Sequence, residues 1–165
     1  MTPVAAWRGE PINTSCTGAD GRYTISGLGP YRWRVQFPDH TRTHAWAWSG
    51  DAADRFAATP VKVRPGTAAT ADATLRPAGK LAGRVIGATL PNPYITVLAV
   101  NARTGDHAAP LALVRGEAEY DLAGLATQNV RISFVAAVGG ATHWHPRRVT
   151  VTAGSTRHLD LRVPS

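Results

Sequence analysis

Gly21-Arg22-Tyr23-Thr24-Ile25-Ser26-Gly27-Leu28 returns 97 positions later as Ala118-Glu119-Tyr120-Asp121-Leu122-Ala123-Gly124-Leu125. Tyr23 falls on Tyr120, Ile25 on Leu122, Gly27 on Gly124 and Leu28 on Leu125. The same offset carries Trp33, Arg34, Val35 and Phe37 onto Val130, Arg131, Ile132 and Phe134. Within each copy the apolar positions alternate with period two, the spacing that sends side chains to one face of an extended strand. Gly27-Leu28-Gly29-Pro30 is turn chemistry: glycine supplies positive φ and proline presets φ. The pattern predicts strands over 22–26 and 32–37, joined as a hairpin.

A second block repeats at an offset of 88, where Val61, Val63, Gly66, Asp72 and Leu75 meet Val149, Val151, Gly154, Asp160 and Val163. It predicts a second hairpin, 61–64 and 70–75 about Pro65-Gly66, and its copy, 149–152 and 158–163 about Ala153-Gly154. The offset shortens by nine between the blocks, so copy one carries the longer connection, within 38–60. Two blocks in one order read as one module written twice, over 1–77 and 78–165. Strands over 83–86 and 95–101 open copy two. In copy one, Val4-Ala5-Ala6-Trp7 corresponds to the second of these, so the first module is expected to lack its N-terminal strand. Such an unpaired edge is a liability and a docking place for a protein partner. No stretch sustains helical apolar spacing, and 52–58 predicts one helical turn at most.

Composition agrees with a loop-rich β protein. The 165 residues include 16 Gly and 12 Pro, and a 44% hydrophobic content with 18% charged residues excludes a disordered tail. The formal charge of +7 is compatible with nucleic acid, acidic polysaccharide or an anionic envelope. The arginines are spread along the chain, which reads as a solvated basic surface, and nucleic acid is not expected as a partner. Cys16 is the single cysteine, which excludes an internal disulfide and a cysteine-based zinc site. No apolar run is long enough for a membrane span. Residues 1–8 lack the basic head and apolar stretch of a signal peptide, so export would depend on a signal outside this chain.

The chain offers little for catalysis. It lacks G-x-S-x-G, HExxH and a phosphate-binding glycine loop. Its three glutamates are Glu10, Glu117 and Glu119, and the last two lie on one strand with no facing carboxylate. His143-Trp144-His145 puts two imidazoles on one strand face, but a metal site needs a third ligand. Asp20, Asp39, Asp51 and Asp54 follow no calcium-loop spacing. No catalytic residue, metal or cofactor is expected. Aromatics carry the stronger signal. Trp46 and Trp48 are two apart, as are Tyr31 and Trp33, so each pair shares a face if extended. Exposed rings stack on the apolar faces of sugars, and an indole N–H serves a hydroxyl. The competing role for Trp33 and for one of Trp46 and Trp48 is filling a small core. Trp46, Trp48, Trp144 and Tyr31 are the candidate stacking residues, with Asp51 and Asp54 as candidate acceptors for sugar hydroxyls.

Asp20-Gly21-Arg22-Tyr23-Thr24-Ile25-Ser26-Gly27-Leu28, followed by Tyr31-Arg32-Trp33-Arg34-Val35, resembles the core motif of carboxypeptidase regulatory-like domains. These are transthyretin-like β-sandwiches related in fold to collagen-adhesin B-type repeats and starch-binding-like domains. Trp46, Trp48 and Pro60-Val61-Lys62-Val63-Arg64-Pro65-Gly66 resemble the actinobacterial versions, and the excess of Arg over Lys agrees with a GC-rich bacterial origin. The chain departs from the pattern at Pro30 and at Thr127-Gln128, where a glycine is usual, and at Arg115-Gly116-Glu117, where copy one has Asp-Gly. Neither Lys62 nor Lys80 lies in a first strand that matches the isopeptide lysine of the adhesin repeats. The resemblance implies an all-β fold of two tandem antiparallel β-sandwich modules. It also implies a non-catalytic accessory or adhesion role, outside the cell or at its surface, with a polysaccharide or cell-envelope glycan as ligand. The alternatives are a ligand-free spacer or stalk, and an accessory fragment of a secreted amylase- or carboxypeptidase-like hydrolase.

Overall fold

The computed structural model describes residues 3–7, 11–87, 94–115, 118–136, 142–145 and 147–162. Among them the protein is all-β, with no helix and several antiparallel sheets. None of its elements is a helix long and apolar enough to cross a membrane. Two compact units form: Met1–Thr41 with Trp46–Leu75, and Arg42–Ala45 with Arg76–Ser165. The short segment Arg42–Ala45 leaves the long connection of copy one and joins the second unit. There His44 bridges Pro77, and the Ala45 N–H donates to the Arg76 carbonyl.

In the first unit, β1 (Pro3–Trp7) lies between β2 (Pro11–Cys16) and β3 (Arg32–Phe37). The far side of β3 takes β4 (Ala47–Trp48) and β5 (Val61–Lys62) at its two ends. Val35 and Phe37 point inward, against the partly buried Tyr23, Ile25, Val61, Ala71, Ala73 and Leu75.

In the second unit the strands are β6 (Gly79–Ile86), β7 (Tyr94–Asn101), β8 (Ala112–Arg115), β9 (Glu119–Leu125) and β10 (Gln128–Ala136). They are followed by β11 (Thr142–Trp144), β12 (Val149–Val151), β13 (Thr156–His158) and β14 (Leu161–Arg162). One sheet runs β11-β10-β7-β8, with β12 also on β10. In the other, β6 is flanked by β9 antiparallel on one side and by β13 and β14 parallel on the other. Leu81, Val85, Tyr120, Leu122 and Leu161 from this sheet meet Ile95, Val97, Val130, Ile132 and Phe134 from the first in one buried cluster. Two sheets sharing one apolar layer make a β-sandwich.

The registers of the two units coincide. Gln36 pairs with Ala5 and Trp48, and Ser133, 97 positions on, pairs with Leu98 and Trp144. Thus β1, β3, β4 and β5 stand where β7, β10, β11 and β12 do. Smaller features recur as well. Gly27 and Gly124 both have positive φ, and so do Gly66 and Gly154. The Tyr23 hydroxyl donates to the Ala71 carbonyl as the Tyr120 hydroxyl does to that of Leu159.

Two expectations are corrected. The two predicted hairpins are not hairpins. In the second unit β9 pairs with β6 and β10 with β7, while β12 pairs with β10 and β13 with β6. Each turn carries the chain from one sheet to the other, and alternation within a strand does not reveal which sheet that strand joins. Residues 22–26 and 70–75 of the first unit also form no strand. Their equivalents in the second unit are strands because β6 stands between them, and no described strand occupies that place in the first.

Candidate functional site

Among the described residues, three of the six exposed large hydrophobic side chains, Tyr94, Leu113 and Trp144, lie on strands of the sheet β11-β10-β7-β8 of the second unit, and a fourth, Leu111, immediately precedes β8. The alternation that buries Ile95, Val97, Val114, Val130 and Ile132 forces their neighbours onto the opposite, outer face. Trp144 stands there beside Ser133, and Ser133 pairs on its other side with Leu98. In the next row Thr142, Val135, Thr96 and Leu113 follow one another across four strands. Val100 and Arg131 form a further pair on this face.

Charge marks both sides of this apolar surface. The Arg131 guanidinium lies 4.4 Å from the centre of the Trp144 ring, and that of Arg115 lies 5.8 Å from the Tyr94 ring. A cation over an aromatic face is attracted by the ring quadrupole and holds the ring in place. Each pair offers a flat carbon surface beside several N–H donors. Trp144 and Tyr94 are two strands and four residues apart, roughly 15 Å by strand geometry. They would meet separate rings of an extended ligand. Trp144 is 43% exposed and Leu113 63%, so the face lies open.

The corresponding face of the first unit is closed. Trp48 occupies the register position of Trp144 but is only 3% exposed, although the strand neighbours Gln36 and Ser133 are buried in both units. The reason is the extra length of copy one. Twelve residues, 49–60, separate Trp48 from β5, whereas four, 145–148, separate Trp144 from β12. The longer segment folds back on the strand. Trp48 and Ala52 exchange backbone hydrogen bonds, the Ser49 hydroxyl donates to the Thr59 carbonyl, and Ala58 is buried.

The predicted site residues therefore do not assemble. Trp48 is only 3% exposed and has no open ring face. Trp46 is half-buried, with its indole N–H donated to the Asp39 carbonyl at 3.1 Å and its ring edge-on to His40. Tyr31 is exposed and packs edge-on against Trp33. Tyr31 precedes β3 and the Asp39 partner of Trp46 follows it, so these two aromatics lie at opposite ends of a strand, roughly 20 Å apart. Asp51 and Asp54 serve the backbone. Asp51 adopts φ 55° in the turn after Gly50 and accepts the Thr74 N–H, while Asp54 accepts the N–H groups of Phe56 and Ala57. Trp144 alone of the six stands on the open face of the second unit. The sequence reading missed Tyr94, Leu113 and Arg131, although the outward positions of 94–101 and 112–115 already carried Leu and Val where a solvated strand places polar residues.

The histidines do not form a metal centre. His143 stacks on Phe134 at the inner side of β11, and His145 is engaged with the backbone of Arg147. Among the described residues no three His, Cys, Asp or Glu side chains lie together in a metal-binding group. Glu119 lies on β9, and Glu10 and Glu117 fall outside the described residues. No family model, curated protein or solved structure matches the chain.

Proposed function

We propose that this chain is a non-catalytic binding module of a secreted or surface protein, and that the outer sheet face of the second unit receives a polysaccharide. The observation that carries the reading is the exposed Trp144 ring with Arg131 against it, on a sheet face that also exposes Tyr94 and Leu113. The face of the Trp144 ring away from Arg131 offers a stacking surface for the C–H face of a pyranose, and the guanidinium donates to hydroxyl or carboxylate oxygens. Arginine on the face and a net charge of +7 favour an acidic glycan, such as an anionic cell-envelope polymer. One or two rings give weak binding per site, which repetition along a polymer strengthens. The resemblance of 20–35 to carboxypeptidase regulatory-like domains supports the same accessory role, for which fold analogy alone is not sufficient.

The test is retention of the full chain on insoluble chitin, starch granules and peptidoglycan with attached acidic polymers. Trp144→Ala should abolish retention while circular dichroism stays unchanged, because the ring is exposed and holds up no core. Retention on the acidic matrix should fall as salt is raised. If wild-type protein is retained on none of the matrices, the ligand-free spacer becomes the better reading.

A further inference from the structure

The strand registers of the second unit fix how its two aromatic–arginine pairs lie relative to each other. Trp144 on β11 stands in one cross-strand row with Ser133 and Leu98. Tyr94 lies four residues before Leu98 on β7 and faces Arg115 across the β7–β8 pair. Arg131 lies two residues before Ser133 on β10, opposite Val100, so it falls on the side of the Trp144 row away from Tyr94. Arg115, on the outermost strand β8, lies beyond Tyr94 in the other direction. Even spacing along each strand keeps all four side chains on the outer face. They form one diagonal, in the order Arg131, Trp144, Tyr94, Arg115, with an aromatic ring inside each terminal cation.

Between the rings the diagonal crosses the row of Val135, Thr96 and Leu113. Leu113 is exposed, and Val135 and Thr96 are half-buried. By strand spacing the two rings are roughly 15 Å apart and the two arginines roughly 20 Å. Such a span exceeds a disaccharide and lies within a hexasaccharide. Both pairs therefore act together only on a chain of several sugars. The face is open at both ends, since Trp144 and Tyr94 are exposed. An extended, ribbon-like chain follows such a line, whereas a coiled chain meets one pair and turns away from the other.

The cations add a chemical requirement. Each guanidinium lies against its ring, Arg131 at 4.4 Å from the Trp144 centre and Arg115 at 5.8 Å from that of Tyr94. Stacking uses the flat side of the guanidinium and leaves its N–H edge for an anion, which a carboxylate accepts in bidentate fashion. Both cations lie outside the rings on the diagonal, so the acid groups they meet belong to sugars flanking the stacked ones. A chain of sugars that each carry a C–H face and a carboxylate on the ring supplies both contacts in one repeat.

We infer that this face binds a linear, extended polyuronate along the diagonal, with Tyr94 and Arg115 as a second subsite and the two arginines selecting ring-borne carboxylates. The inference rests on the reading of the same face as a glycan site. It adds to that reading the length of the chain bound, the line it follows and the acid group that is recognised.

The test is isothermal titration of the full chain with oligomannuronates of two and six units, and with cellohexaose, a neutral chain of similar extended form. The hexamannuronate should bind about 10- to 100-fold more tightly than the dimer, the gain expected when two weak subsites engage one ligand. Tyr94→Ala and Trp144→Ala should each remove that gain without changing the circular dichroism, because both rings are exposed. Arg115→Gln and Arg131→Gln should each weaken the hexamannuronate about two- to fivefold, the range of an exposed charge pair, and leave cellohexaose unaffected. Equal affinity for dimer and hexamer, or a hexamer affinity that Tyr94→Ala leaves unchanged, would overturn the two-subsite assignment. Cellohexaose binding as tightly as hexamannuronate, or no hexamannuronate binding by a chain that an insoluble matrix retains, would overturn the polyuronate assignment. Each of these results leaves Trp144-dependent retention standing. A wild-type chain that binds neither oligomer and is retained on no matrix removes the glycan reading itself, and this inference with it.

Discussion

The two units carry the same registers and differ in what each leaves open. The second unit has its central strand β6, a fully buried core and an open outer face. The first has its outer face closed over Trp48, and among the described residues its 22–25 and 70–75 segments form no strand. Equivalent side chains therefore live in different surroundings: Leu122 is buried and Ile25 half-buried, and Trp144 is exposed where Trp48 is not. The lesson is that a residue's role follows from what covers it, and in a β-sandwich cover comes from elements distant in the chain.

The Trp pair gives the sharpest contrast. Trp48→Ala should cost the first unit about 3–5 kcal/mol, the range for truncating a buried aromatic, whereas Trp144→Ala should leave the stability of the second unit within about 0.5 kcal/mol. Urea unfolding followed by hydrogen exchange, which reads each unit separately, checks both. Equal effects would break the comparison. Next, Leu122→Ala should destabilise the second unit by about 2–5 kcal/mol, and the matched Ile25→Ala should cost the first unit about 1 kcal/mol.

A smaller difference is expected at the tyrosines. Tyr120→Phe leaves the Leu159 carbonyl without its donor beside a closed core, at a cost of about 1–3 kcal/mol, and Tyr23→Phe should cost less because water reaches that edge. Burial first, and the carboxylates of Asp160 and Asp72 second, push the phenols of Tyr120 and Tyr23 above their ordinary value. The folded state thus favours the protonated form. This stabilisation is complete below about pH 10, the unfolded value, and is lost as pH rises through the raised folded values. Alkaline denaturation curves should show a decline above about pH 10 that Tyr120→Phe flattens, with a weaker change for Tyr23→Phe.

Much of the architecture was legible in the sequence. Period-two alternation at 32–37 and 130–134, the matched glycines and the repeated spacing that reappears as matching strand registers could all be read from the sequence. The longer connection of copy one was legible within 38–60, and eight of its nine extra residues lie in 49–60. The pairing was not legible, because alternation gives a strand its two faces and says nothing about its neighbours. The candidate site suffered most. Trp46 and Trp48 look alike in sequence, and only the return of residues 49–60 removes Trp48 from solvent.

By itself the sequence determined that this is a twice-written β protein with inward and outward positions in each strand, since local periodicity fixes side-chain direction. The tertiary structure decided which outward residues meet water and which strands pair with one another. Both depend on pairing between segments far apart in the chain, and local spacing does not encode that pairing.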